Sequence, residues 1–146
     1  MNVRAAAEAD YEAVTALLEL LGRARVTDAT REECRALFER QLADPDADHL
    51  VAEDGSAGMV GFCSLHYRRR LNFATPEAWV PDLIVAEEAR GRGAGLALLE
   101  EAERRARGRG CHRLTLESGH QREAAHRLYL RFGMEEAGRF FQKRLA

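Results

Sequence analysis

Apolar residues recur along this chain at two periods, one near 3.6 and one near 2, and the switches between them predict the elements. A short run at 3–5 predicts a first strand. Val14, Leu17, Leu18 and Leu21 then keep helical spacing, with Asp10 placed to cap the helix and Gly22 to stop it. Thr30 and Glu33 have the spacing of a capping box and open a second helix that turns Cys34, Leu37, Phe38 and Leu42 inward. It ends at Asp44-Pro45, because the residue before a proline is pushed out of helical geometry. Strand-like runs at 49–53 and 59–67 flank a turn at Asp54-Gly55. A fourth strand is predicted over 79–85, a helix over 94–107 and a fifth strand over 113–117. A helix over 122–132, stopped by Gly133, and a last strand over 140–145 complete the chain.

This order predicts a single α+β domain over residues 1–146, with a mixed sheet flanked by helices. No repeat, low-complexity stretch or linker interrupts it. The 146 residues are 46% apolar and 32% charged, a balance that folds and is not disordered. Twenty-two basic against 24 acidic residues leave a formal charge of −2, so no global field draws the chain to nucleic acid or anionic lipid. Cys34, Cys63 and Cys111 form neither a metal pattern nor a disulfide ladder. The five histidines give no H-x-x-x-H face or Cys/His cluster, and no metal is expected. No apolar run approaches a signal segment or a membrane span, so a cytoplasmic protein with reduced thiols is expected.

The densest chemistry follows the fourth strand, at Leu83-Ile84-Val85-Ala86-Glu87-Glu88-Ala89-Arg90-Gly91-Arg92-Gly93-Ala94-Gly95-Leu96. A strand enters a glycine-rich turn, and the turn enters a helix. Glycines let the backbone approach a ligand, and the helix start supplies unpaired N–H donors, which together suit a phosphate or pyrophosphate. Arg90 and Arg92 are placed to add charge-assisted bonds. The dinucleotide fingerprint fails, since Leu96 stands where its third glycine belongs, and no Gly-Lys-Ser/Thr completes a P-loop.

The spacing that fits is Arg90-x-x-Gly93-x-Gly95, and there the chain resembles the GCN5-related N-acetyltransferase (GNAT) superfamily over essentially its whole length. The resemblance implies the acyl-CoA N-acyltransferase fold, with the sheet splayed between strands 4 and 5. It implies acetyl-CoA as co-substrate, its pyrophosphate on the amides of Arg90 to Leu96 and its pantetheine arm along Leu83, Ile84 and Val85. Ser118 resembles a polar cofactor contact of the family. Members often form homodimers, so a second copy of the chain is a candidate partner.

Ala125-x-x-x-Tyr129-x-x-x-Gly133-Met134 is similar to the family's Ala-x-x-x-Tyr-x-x-x-Gly-Phe. A phenol of pKa about 10 can protonate a leaving thiolate of about 8.5 at modest cost, which makes Tyr129 the candidate general acid. A core tyrosine is the alternative, since Ala125, Leu128 and Phe132 share one helical stripe. A protonated amine cannot attack, so a base is needed. Alternation along 79–85 puts Trp79, Pro81, Leu83 and Val85 on one face and Val80, Asp82 and Ile84 on the other. Asp82, an acid set in an apolar strand beside the loop, is one candidate base, and Glu117 is the second. A structural acid bonded to backbone or arginine is the alternative for Asp82.

The expected reaction is direct acetyl transfer to the primary amine of a small molecule. The segment from His126 to Gly133 is similar to aminoalkylphosphonate acetyltransferase-like members, which suggests an anionic amine. The Arg68–Arg70 run is a solvated strand end or an attractor of an acidic substrate. The rival expectations are acetylation of a protein N-terminus or lysine, and a non-catalytic acyl-CoA sensor.

Overall fold

The two long runs in the middle of the chain pair as the central hairpin of a six-stranded sheet. β2 (Ala47–Glu53) lies antiparallel to β3 (Met59–Arg68), and β1 (Asn2–Ala5) adds antiparallel to β2. β4 (Glu77–Val80) and β5 (Leu83–Val85) pair one after the other with β3, and β6 (Leu114–Leu116) joins β4 in parallel, so the sheet is mixed as expected. The computed structural model describes residues 1–117 and 123–146, and these fall into two units, Met1–Leu116 and Glu117–Ala146. All six strands belong to the first.

Three helices of that unit cover the sheet: α1 (Tyr11–Leu20), α2 (Arg31–Leu42) and α3 (Ala94–Gly108). Strand alternation decides which face each takes. Gln41 of α2 meets His49 of β2, while Leu98 of α3 lies over Gly61, whose partner is Ala52, so α2 and α3 take opposite faces. A Cβ at Gly61 would come within 3.0 Å of Leu98 Cδ1 and 3.3 Å of the Ile84 carbonyl, so only glycine lets α3 close on the strand. Leu50, Cys63, Leu65, Leu98, Leu99 and Ala102 are sealed from solvent. Each large aliphatic among them contributes about 1.5–3 kcal/mol by leaving water.

In the second unit, α4 (Glu123–Arg131) ends in a defined stop. Gly133 takes φ +98, its N–H donates to the Leu130 carbonyl (3.1 Å), and the Met134 N–H donates to the Tyr129 carbonyl (3.0 Å). This is a Schellman cap, and it explains the Tyr129-x-x-x-Gly133 spacing as helix termination independently of any chemistry. No helix among the described residues is long and apolar enough to cross a membrane.

Five expectations fail. Asp10 precedes α1 without capping it, its carboxylate accepting instead from Arg4 and from the Ala7 N–H. The strand at 79–85 is not continuous. Between the pairs His66↔Trp79 and Cys63↔Leu83, β3 places two residues and the facing chain three, Val80, Pro81 and Asp82. The extra residue is a bulge, at a proline that has no N–H for the ladder. It reverses the alternation, so Trp79 shares a face with Asp82 and Ile84. Thr30 caps no helix: its hydroxyl accepts from the Thr27 N–H (3.0 Å), and α2 has no side-chain cap. Leu37 is exposed, not inward. The last strand is missing as well. Residues 134–146 have no regular structure, and Phe140, Phe141 and Leu145 are exposed, because no described segment pairs with them.

Candidate active site

The bulge and the splay leave a candidate site in the first unit. β6 pairs β4 only as far as Val80↔Leu116, and β5 pairs β3 alone. Asp82 O and Ala86 N bond to β3, at Ser64 N (2.9 Å) and Val60 O (2.8 Å), so Ile84 points the same way. Leu83 and Val85 therefore turn their N–H and C=O groups to the open edge. There the Val85 carbonyl accepts only a long bond from Arg90 Nε (3.4 Å). An extended, amide-bearing chain can dock on such an edge as one more strand.

The edge runs into the glycine loop. Gly91 and Gly93 take φ +82 and +90, and Gly93 is the N-cap of α3 with no side chain capping it. The first intrahelical bond is Ala97 N–H to Gly93 O (2.9 Å). The amides of Ala94, Gly95 and Leu96 thus have no backbone acceptor among the described residues. Added Cβ atoms at Gly91 or Gly93 would meet no protein atom within 4 Å, so the space above the turn is open to a ligand. Arg90 and Arg92 are half-exposed and weakly held, Arg90 to Glu87 at 4.0 Å and Arg92 to Asp54 at 3.5 Å. Donors, dipole and mobile cations together fit a pyrophosphate.

Asp82 is half-buried at the bulge and already engaged. Arg23 Nε donates to its Oδ1 at 2.7 Å, Arg23 Nη2 to the Pro81 carbonyl at 2.8 Å, and Ser64 Oγ to its Oδ2 at 3.2 Å. A carboxylate bonded to arginine and serine is the structural-acid alternative raised by the sequence. Its face also carries His66 and His49, with ring centroids 5.6 Å apart, and His66 lies 5.8 Å from the ring of Trp79. Burial lowers the pKa of both imidazoles below the ordinary value, and for His49 the neighbouring His66 adds to the effect, so both are neutral proton acceptors at neutral pH. Sequence reasoning missed this pair because it tested His49 and His66 only for metal. The signal was the His66 and Ser64 alternation on β3, which acquires meaning once the bulge sets the register.

Tyr129 is buried in the second unit, its ring 6.3 Å from that of His126. Glu117 is exposed at the start of that unit. Ser118, the remaining cofactor candidate, lies outside the described residues. Cys63 is excluded as a nucleophile, because burial pushes its thiol up to about 12. No group of three or more His, Cys, Asp or Glu that could hold a metal occurs among the described residues.

Comparison with known proteins agrees with this geometry. The family model for the acetyltransferase (GNAT) family matches residues 14–134. The chain is 33% identical over 145 residues to the aminoalkylphosphonate N-acetyltransferase of Salmonella typhimurium, covering 99% of this chain and 91% of that one. It is 37% identical over 91 residues to glucosamine 6-phosphate N-acetyltransferase 1 of Oryza sativa subsp. japonica, covering 60% of this chain and 54% of that one. The glucosamine-6-phosphate N-acetyltransferase structure of Arabidopsis thaliana superposes with a TM-score of 0.80 at 21% identity, over 99% of this chain and 98% of that one. An open strand edge feeding uncapped helix amides, in a chain matched along most of its length, places this protein in the GNAT family as an acetyl-CoA-dependent N-acetyltransferase.

Proposed function

We propose that residues 1–146 act as one catalytic domain that acetylates the primary amine of a small anionic molecule, an aminophosphonate or similar, by direct attack. The observation that carries this reading is the free edge of β5, which leads straight into the unfilled amides of Ala94, Gly95 and Leu96. Two relatives act, by name, on amines that bear a phosphorus oxyanion, which supports the substrate class.

Acetyl-CoA supplies an acetyl group activated as a thioester. The outward N–H and C=O groups of Leu83 and Val85 bind the pantetheine amides, with Ile84 tying the strand to β3. The amides of residues 91–96, with Arg90 and Arg92, hold the pyrophosphate. An N–H on the open edge of β5 polarises the acetyl carbonyl. Asp82, or Glu117 through water, takes the ammonium proton, and the neutral His66 and His49 offer a relay on the face of Asp82. As the C–N bond forms and the C–S bond breaks, Tyr129 gives its phenolic proton to sulfur. The high pKa of Cys63 argues against an acyl-enzyme.

The test is thiol release from acetyl-CoA with matched amines, a phosphonate- or phosphate-bearing one beside its neutral analogue and a peptide with a free N-terminus. The anionic amine should give the largest kcat/KM. Preference for the peptide, or tight coenzyme binding without turnover on any amine, overturns the reading.

A further inference from the structure

At the start of β4, far from the glycine loop, Glu77 is fully buried and is the common partner of three arginines. Arg68, its cross-strand partner on β3, donates from Nε at 2.8 Å, Arg70 from Nε at 3.2 Å and Arg113 from Nε at 2.7 Å. One carboxylate neutralises one of the three, which leaves a local charge of 3 − 1 = +2 in a chain of formal charge −2. All three arginines anchor through Nε alone. Their terminal amino groups have no acceptor among the described residues, and the side chains stay roughly half exposed, at 40, 56 and 47%. A buried acid that fixes three guanidinium groups with their outer donors in solvent is a preorganised oxyanion receptor.

We propose that Arg68, Arg70 and Arg113, gathered on Glu77, bind a phosphate- or phosphonate-type dianion at a site separate from the coenzyme cradle. Along unbroken β3, the partners of Glu77 and Val85, Arg68 and Gly61, stand seven residues apart, roughly 23 Å at 3.3 Å per residue, so a coenzyme pyrophosphate seated on the glycine loop does not reach the cluster. The dianion is either free or the far end of a long acceptor. A one-carbon aminophosphonate with its amine at Asp82 is too short, since Asp82 faces Ser64, which lies four residues, about 13 Å, along β3 from Arg68.

Trp79, the chain's one tryptophan, reports on the site, because the Arg68 guanidinium lies 4.6 Å above its ring. The full chain, with coenzyme A saturating the cradle, is titrated with inorganic phosphate at fixed ionic strength while Trp79 emission is followed. A saturable change is expected, with the midpoint raised about tenfold in Arg70→Gln, the equivalent of one charge-assisted hydrogen bond, and coenzyme A affinity unchanged. Arg113→Gln should behave alike and guards against a folding defect in the first variant. An unresponsive or unsaturable emission, or a midpoint that neither variant moves, overturns the proposal. This arm needs no turnover, so it stands apart from the proposed function. In a second arm, phosphate is added to assays of glucosamine 6-phosphate and glucosamine. Competition against the phosphorylated amine alone assigns the site to an acceptor's own phosphate, and equal treatment of the two amines assigns it to a free anion.

Discussion

Gly93→Ala isolates the contribution of the loop's backbone shape. Gly93 sits at φ +90, ψ 7, in the left-handed region, as the N-cap of α3. An L-alanine there costs about 1–2 kcal/mol. No steric term adds to it within the free protein, because the new Cβ meets nothing within 4 Å. The cost must appear in one of two places. If the loop keeps its shape, thermal stability falls, by roughly 3 °C or more per kcal/mol for a domain of this size. If the loop relaxes, the amides of Ala94, Gly95 and Leu96 lose their alignment, and acetyl-CoA affinity falls roughly 5- to 30-fold. Calorimetric titration with acetyl-CoA and a thermal melt on the same preparation measure both. Summed, the two losses should reach at least about 1 kcal/mol, with the affinity loss dominant because the methyl group also enters the ligand's space. A variant that binds within about twofold of the parent and melts at the same temperature refutes the reasoning, since the loop would then need neither glycine nor its left-handed turn.

Tyr129→Phe preserves the ring and removes the proton donor, so kcat should fall about 100-fold or more with acetyl-CoA affinity little changed. An unaltered rate with acetyl-CoA itself would retire Tyr129 as the acid. Acid stability follows from Glu77: burial alone would raise its pKa, but hydrogen bonds from Arg113, Arg68 and Arg70 outweigh that and hold it at about 2, against 4.5 ordinarily. A depressed carboxylate stabilises the fold above its unfolded pKa and loses that contribution as pH falls, here between about 4.5 and 2. The loss is on the order of 3 kcal/mol. Chemical denaturation from pH 6 to 2.5 should show that decline, and Glu77→Gln should flatten it. A decline of the same size in Glu77→Gln would place the acid sensitivity elsewhere.

How far the sequence could be read depended on how local each feature is. The shape of the glycine turn was legible because it is written in consecutive residues: Gly91 and Gly93 take left-handed φ, and the helix that follows exposes its own amides. The Tyr129–Gly133 segment was legible for the same reason, since its Schellman bonds close within one turn. The last strand failed because a strand is defined by a neighbour, and the aromatic residues at 140 and 141 gave propensity without one.

Register was the deeper obstacle. A single extra residue at Pro81–Asp82 turned Trp79 onto the face of Asp82, so an alternation that looked regular gave the wrong neighbours. The same bulge sets Ser64 against Asp82 and places His66 and His49 beside it. Arg68, Arg70, Glu77 and Arg113 come together only through the pairing of β3 with β4 and of β4 with β6, over separations of up to 45 residues. Arg68–Arg70 looked like a solvated strand end because the carboxylate that organises it is seven or more residues away and invisible to any local pattern. Alternation also cannot show whether a neighbouring charge is shared. Three arginines on one acid form an excess of charge, where three on three acids would form a closed salt-bridge network. That excess separates a receptor from a structural clamp, and it exists only in the folded register.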